Sequence, residues 1–237
     1  MSLKSRDHAL SSSAEQLKVL GGELFQTGKL PTFQEKLIAH NYYPLTPTGI
    51  QVFQINIGYM CNQTCKHCHV DAGPDRKEIM TKATMESCLE VYEKYKFPTI
   101  DLTGGAPEMN PDFFWFVTEL KKRGAKEIIV RCNLTIILAN NKYHELPLFF
   151  RENNIRVVSS LPFYKADRTD RQRGEGVFDK SLKALVMLNE VGYGVEESGL
   201  VLDLVYNPSG AFLPSDQKTL EKDFKRELYE LFKIKFN

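Results

Sequence analysis

From residue 51 onward, short runs rich in β-branched and aromatic residues alternate with longer amphipathic stretches, and no other feature restricts the fold so strongly. The strand candidates are residues 52–57, 99–102, 127–132, 156–160 and 199–206. Residues 81–95, 111–122, 142–153, 178–191 and 215–232 read as helices. In the first of these, Met85, Cys88, Leu89 and Tyr92 recur at helical spacing, and the second stops at Arg123-Gly124. Such repetition predicts an α/β fold of βαβ units around a parallel sheet, closed as a barrel or open and doubly wound. In both architectures ligands bind at the carboxyl ends of the strands, so the residues following each strand are the ones to search. Residues 1–50 differ. Two short helical patterns, 14–25 and 32–40, lead into a turn-rich stretch at 43–49, which reads as a helical N-terminal extension packed on a main domain of residues 51–237.

With 42% hydrophobic residues, the composition is that of a globular chain, and 237 residues suit one large domain or at most two small ones. The 31 basic and 30 acidic side chains leave a net charge of +1, which gives no electrostatic reason to expect nucleic acid or an anionic membrane as partner. No apolar run approaches the roughly 20 residues needed to span a bilayer, and residues 1–20 are Ser- and charge-rich without an apolar signal core. A soluble, cytoplasmic protein is expected.

Three of the five cysteines, Cys61, Cys65 and Cys68, fall on the loop after the first strand. That clustering favours metal ligation over a disulfide framework. A cubane iron–sulfur cluster usually takes four thiolates, so three leave one iron without a protein ligand, and an open position is what a catalytic centre needs. The competing reading is a zinc-binding protein without catalysis, its site completed by His67 or His69. Spacing weighs against it, because Cys88 and Cys132 are isolated and offer no second hook. Both read better as core residues.

Other strand ends carry polar groups. The second leads into Thr103-Gly104-Gly105-Ala106-Pro107-Glu108, whose glycines permit close backbone approach. The third ends at Arg131-Cys132-Asn133, and strand alternation puts Arg131 and Asn133 on one side. After the fourth, the charged stretch 165–175 reads as a solvated loop or, leaving a strand at the active end, as a lid over a substrate.

Cys-x-x-x-Cys-x-x-Cys directly after a first strand resembles the signature of the radical S-adenosylmethionine (SAM) enzymes. The resemblance implies a (β/α)6 TIM-like barrel, with Cys61, Cys65 and Cys68 holding a [4Fe-4S] cluster whose fourth iron is chelated by SAM. It further implies SAM contacts from Gly104, Gly105 and Ala106, where many members have Gly-Gly-Glu-Pro, and from Asn133, Ser160, Leu204 near the adenine, and Asn207. His67, just before the third cysteine, is either beside the adenine or an exposed loop histidine. A small-molecule substrate and a reducing electron-donor protein are the implied partners.

Longer strings, Cys68-His69-Val70-Asp71-Ala72-Gly73-Pro74-Asp75-Arg76, Leu102-Thr103-Gly104-Gly105-Ala106-Pro107-Glu108 and Tyr206-Asn207-Pro208-Ser209-Gly210-Ala211-Phe212-Leu213-Pro214, resemble the arsenosugar biosynthesis radical SAM proteins. That family is understood to transfer the 5′-deoxyadenosyl group of SAM to a trivalent dimethylated arsenic compound. The alternative is a radical SAM enzyme acting on a peptide or another small molecule. The family continues past the point matching Phe236-Asn237 into a cysteine-containing region, so the barrel is expected to be partial, broken off before or within its sixth strand, with an exposed edge.

Overall fold

In a computed structural model, which describes residues 7–9, 12–20, 31–66, 68–208 and 213–237, five strands lie side by side in chain order. They are β1 (Val52–Asn56), β2 (Thr99–Thr103), β3 (Glu127–Cys132), β4 (Arg156–Ser160) and β5 (Leu202–Val205), each parallel to the next. The order never reverses, so there is no switch point of the kind that defines a doubly wound sheet. A sheet that keeps winding one way is part of a barrel, here a partial TIM-like one. At the far side of β5, Asn237 donates its amide N–H to the Leu202 carbonyl at 3.0 Å and accepts the Leu202 N–H on its side chain at 2.8 Å.

Strand alternation separates two environments. Ile100, Leu102, Ile128, Val130, Cys132, Val157 and Leu202 are buried beneath the helices. Many of the alternate positions are polar and bond across neighbouring strands: Gln54 to Asp101 at 2.7 Å, Arg131 to Asp101 at 2.8 Å, and Arg156 to Asp203 at 2.7 Å. Burying each large aliphatic chain of the outer layer contributes about 1.5–3 kcal/mol, whereas the polar inner face keeps the concave side chemically available.

Helices α1 (Ser13–Leu20) and α2 (Phe33–Ala39) precede the sheet. Thr32 and Glu35 form a reciprocal capping box on α2, yet α2 buries none of its residues, against the expected packing of this segment on the main domain. Residues 21–25 of the first expected helix lie outside the described residues. Helix α3 (Lys82–Tyr95) starts where the Thr81 hydroxyl accepts the Thr84 N–H, and buries Met85, Leu89 and Tyr92. Helix α4 (Phe113–Lys122) buries Phe113, Phe116, Val117 and Leu120.

The helix expected over 142–153 is divided. A 3-10 turn at Asn141–Tyr143 is followed by α5 (Leu146–Glu152), because Pro147 has no N–H to give and is accommodated only in a first turn. The charged stretch expected as a loop instead contains α6 (Ala166–Arg173), with Thr169 and Arg173 buried one turn apart. Helices α7 (Val177–Glu190) and α8 (Gln217–Phe232) complete the chain. Among the described residues, no helix is long and apolar enough to cross a membrane.

Candidate active site

The loop after β1 is stitched to its neighbours mainly by backbone. Tyr59 N–H donates to the Glu78 carbonyl at 2.8 Å and Cys61 N–H to that of Gly73 at 3.2 Å, folding residues 58–80 into a double-backed loop. The buried Arg76 clasps it, donating to the Asp71 carbonyl at 2.6 Å and pairing with Asp71 and Glu78 at 3.1 and 3.0 Å. The turn after β2 then locks on: Gly105 N–H donates to the Gly58 carbonyl and Ala106 N–H to that of Met60, both at 2.9 Å. This approach needs glycine. Gly104 has φ +151°, and a Cβ there would lie 2.5 Å from the Gly58 oxygen; a Cβ on Gly105 would lie 2.5 Å from the Met60 oxygen.

So held, Cys61, Cys65 and Cys68 line one cavity of about 230 Å³ together with Gly104, Gly105, Asn133, Ser160, Arg173 and Asn207. All three thiols are free of disulfides. The Asn133 amide donates to Cys61 Sγ at 3.2 Å and to Asn62 Oδ1 at 2.7 Å. Asn133 is itself fixed by the Ile136 N–H at 3.0 Å and by a sharp turn at Leu134, whose φ of +57° is uncommon for a non-glycine residue. The Ala72 N–H donates to Cys68 Sγ at 3.3 Å. Burial pushes the Cys61 thiol up to about 11 and raises that of Cys65, against the opposing pull of the Arg173 guanidinium.

Arg173 is the residue that sequence reasoning missed. It projects from the end of α6, is 5% exposed, and donates to the Gln63 side chain at 2.9 Å and to the Ser160 carbonyl. Its Nε has no hydrogen-bond partner among the described residues. The only sequence signal was its place in a charge-rich run, which reads as solvated. Glu108 is fully buried and does not line the cavity; neither of its oxygens is bonded in ordinary geometry, the Cys132 thiol lies beside it, and burial raises its carboxyl to about 7.

Of the residues singled out in the sequence, the cavity brings together the three cysteines, Gly104, Gly105, Asn133, Ser160 and Asn207. Ala106 is buried and contributes its backbone to the Met60 contact. Leu204 faces a different cavity, with Tyr206, Leu220 and Phe224, and Val205 takes the place on the cysteine side. This follows from strand alternation, which turns successive β5 residues to opposite faces. His67 lies outside the described residues, and His69 lines the cavity. Cys132 is buried yet reaches the wall of this cavity, and Cys88 is half-buried against the core.

Three thiols lining one cavity are the donors that a cubane cluster with one open iron takes from a protein.

Residues 55–209 match the family model of the Radical SAM superfamily. A probable GTP 3′,8-cyclase of Saccharolobus solfataricus is 23% identical over 143 residues, covering 60% of this chain and 45% of the relative. That of Sulfurisphaera tokodaii is 25% identical over 85 residues, 36% of this chain and 27% of the relative. The structure of Streptococcus suis SuiB bound to S-adenosylmethionine superposes with a TM-score of 0.57 at 15% identity, covering 96% of this chain and 52% of SuiB. The chain thus spans about half or less of the length of the proteins it matches.

Proposed function

Because the chain belongs to the radical SAM superfamily, we propose that it is an enzyme that reductively cleaves SAM at a [4Fe-4S] cluster and transfers the 5′-deoxyadenosyl group to a trivalent dimethylated arsenic compound. The observation that carries the first half is the single cavity shared by Cys61, Cys65, Cys68 and the Gly104–Gly105 turn. The second half is supported by the strings at 68–76, 102–108 and 206–214, which resemble the arsenosugar biosynthesis proteins. When bound, the cluster and SAM would supply a low-potential electron that breaks the S–C5′ bond, releasing methionine and delivering the adenosyl carbon to arsenic, and the electron lost as As(III) becomes four-substituted As(V) would return to the cluster.

The chain's own residues would hold and orient these groups. Cys61, Cys65 and Cys68 give three thiolates, and the raised Cys61 and Cys65 thiols mean that protons leave as iron enters, so assembly is favoured as pH rises. Asn133 and the Ala72 N–H, already donating to Cys61 and Cys68, soften the sulfur charge. The Gly104–Gly105 turn has no side chains to keep a polar ligand from the backbone. Arg173, a buried cation with a spare N–H, faces the anionic end of such a ligand, with Ser160 and Asn207 beside it. Val158 and Val205 close the wall against water. The remaining partner is a reducing electron-donor protein.

Anaerobic reconstitution followed by iron and sulfide analysis tests the centre, and incubation with SAM, dithionite and dimethylarsinous acid, both free and as its glutathione adduct, tests the substrate. An adenosyl–arsenic product by mass spectrometry supports the reading. Formation of 5′-deoxyadenosine without that product removes arsenic and points to a peptide or another small molecule; zinc without labile sulfide removes the whole assignment.

A further inference from the structure

A second cavity, of about 290 Å³, opens beside the cysteine site. Its walls are Phe163, Arg168, Arg171, Gln172, Tyr206 and Asn207, closed at one end by Pro162. The two cavities share Asn207, and α6 separates them: Arg173 faces the cysteines, while Arg168, Arg171 and Gln172 face the second space. The helix is pinned in this position. Thr169 donates its hydroxyl to the Phe163 carbonyl at 2.7 Å and accepts the Phe163 N–H at 3.2 Å, and the Gln172 carbonyl takes the Lys66 N–H of the cysteine loop at 3.0 Å.

The chemistry of the second space is that of an anion site. Arg168 lies over the Phe163 ring at 4.3 Å, and neither it nor Arg171 makes an ion pair among the described residues. The acidic neighbour Asp170 is occupied elsewhere, accepting the Gly176 and Phe178 N–H groups at 2.9 and 2.8 Å. Gln172 and Asn207 add neutral amides. Two guanidinium groups without an ion pair among the described residues, flanked by aromatic rings, are suited to a carboxylate or phosphate carried on an organic body.

We propose that this cavity is a substrate-recognition subsite for an oxyanion, a carboxylate or a phosphate, so that the molecule modified at the cysteine site is anionic. The inference deepens the proposed function and rests on it, since it assigns the second cavity to the same substrate. A trivalent arsenic compound meets the requirement when it is carried as the adduct of an anionic thiol.

The test is equilibrium dialysis of the anaerobically reconstituted full chain at low ionic strength against glutathione, as the carboxylate probe, and GTP, as the phosphate probe. Iron content and SAM retention are read on the same samples. One probe should bind, weaken as salt is added, and bind roughly tenfold less tightly for each arginine removed in Arg168→Gln/Arg171→Gln. The Arg168→Lys/Arg171→Lys pair, which keeps the charge but not the fork, should recover part of that loss. Binding of neither probe, or equal binding by the glutamine pair, overturns the subsite while intact iron and SAM retention leave the cysteine site standing. Loss of iron and SAM in the unmodified chain would instead overturn the reading beneath it.

Discussion

Replacing Gly105 with alanine adds a single methyl group at the most crowded junction of the site. The new Cβ would sit 2.5 Å from the Met60 oxygen and 2.9 Å from the Ala72 Cβ, and both neighbours belong to the cysteine loop. Neither is the tip of a flexible side chain, so the loop itself must move. Separation strains the two hydrogen bonds that join turn and loop, each 2.9 Å long. Overpacking costs about 1–3 kcal/mol and the two bonds about 1 kcal/mol each, so the loss is about 3–5 kcal/mol. At about 2–4 °C per kcal/mol for a chain of this size, the unfolding midpoint should fall by about 6–20 °C.

The assay is thermal unfolding by circular dichroism beside iron and sulfide per chain. Leu89→Ala is the matched comparison, because Leu89 is buried in α3, away from the cysteines, and its truncation costs a similar 2–5 kcal/mol or so. Gly105→Ala should lose iron in the folded protein, whereas Leu89→Ala should lose stability and keep its iron. A Gly105→Ala protein with an unchanged midpoint and full iron would refute the close approach on which the site geometry rests.

Alanine at Cys61, Cys65 or Cys68 should abolish iron and sulfide retention, while alanine at Cys88 should leave both intact. Arg173→Gln should weaken SAM retention by about tenfold or more, the scale of a lost charge-assisted contact, and raise the Cys65 thiol further, seen as slower alkylation of the metal-free protein at a fixed pH. Burial raises Glu108 from 4.5 to about 7, so the folded state holds its proton more tightly. Its contribution is complete below about pH 4.5 and is lost as pH rises through about 7, a change of about 3 kcal/mol. Glu108→Gln should flatten unfolding midpoints between pH 5 and 8; an unchanged slope would place that dependence elsewhere.

The strand–helix alternation was legible because its apolar residues obey simple periods, and β3 and β4 lie at the residues the pattern indicates. The expected ranges 32–40 and 81–95 likewise begin at Thr32 and Thr81, which cap α2 and α3 in the structure. Helix α6 was not legible. Its sequence, ADRTDRQR, has no apolar stripe, and the positions it buries are a threonine and an arginine, held by hydrogen bonds that no periodicity encodes. The cysteine loop announced its chemistry through spacing, but its attachment to the glycine turn is a backbone matter. Leu204 and Val205 show the remaining limit, since a one-residue choice within a strand exchanges the two faces.

Helix α6 touches two cavities with one rigid body, and that joint tenancy has a thermodynamic corollary. Any stiffening that a first occupant imposes on the helix lowers the entropic toll on the second, whichever arrives first. Equilibrium linkage makes the benefit mutual and equal, so the factor by which SAM sharpens the affinity for an anion is the factor by which the anion sharpens that for SAM.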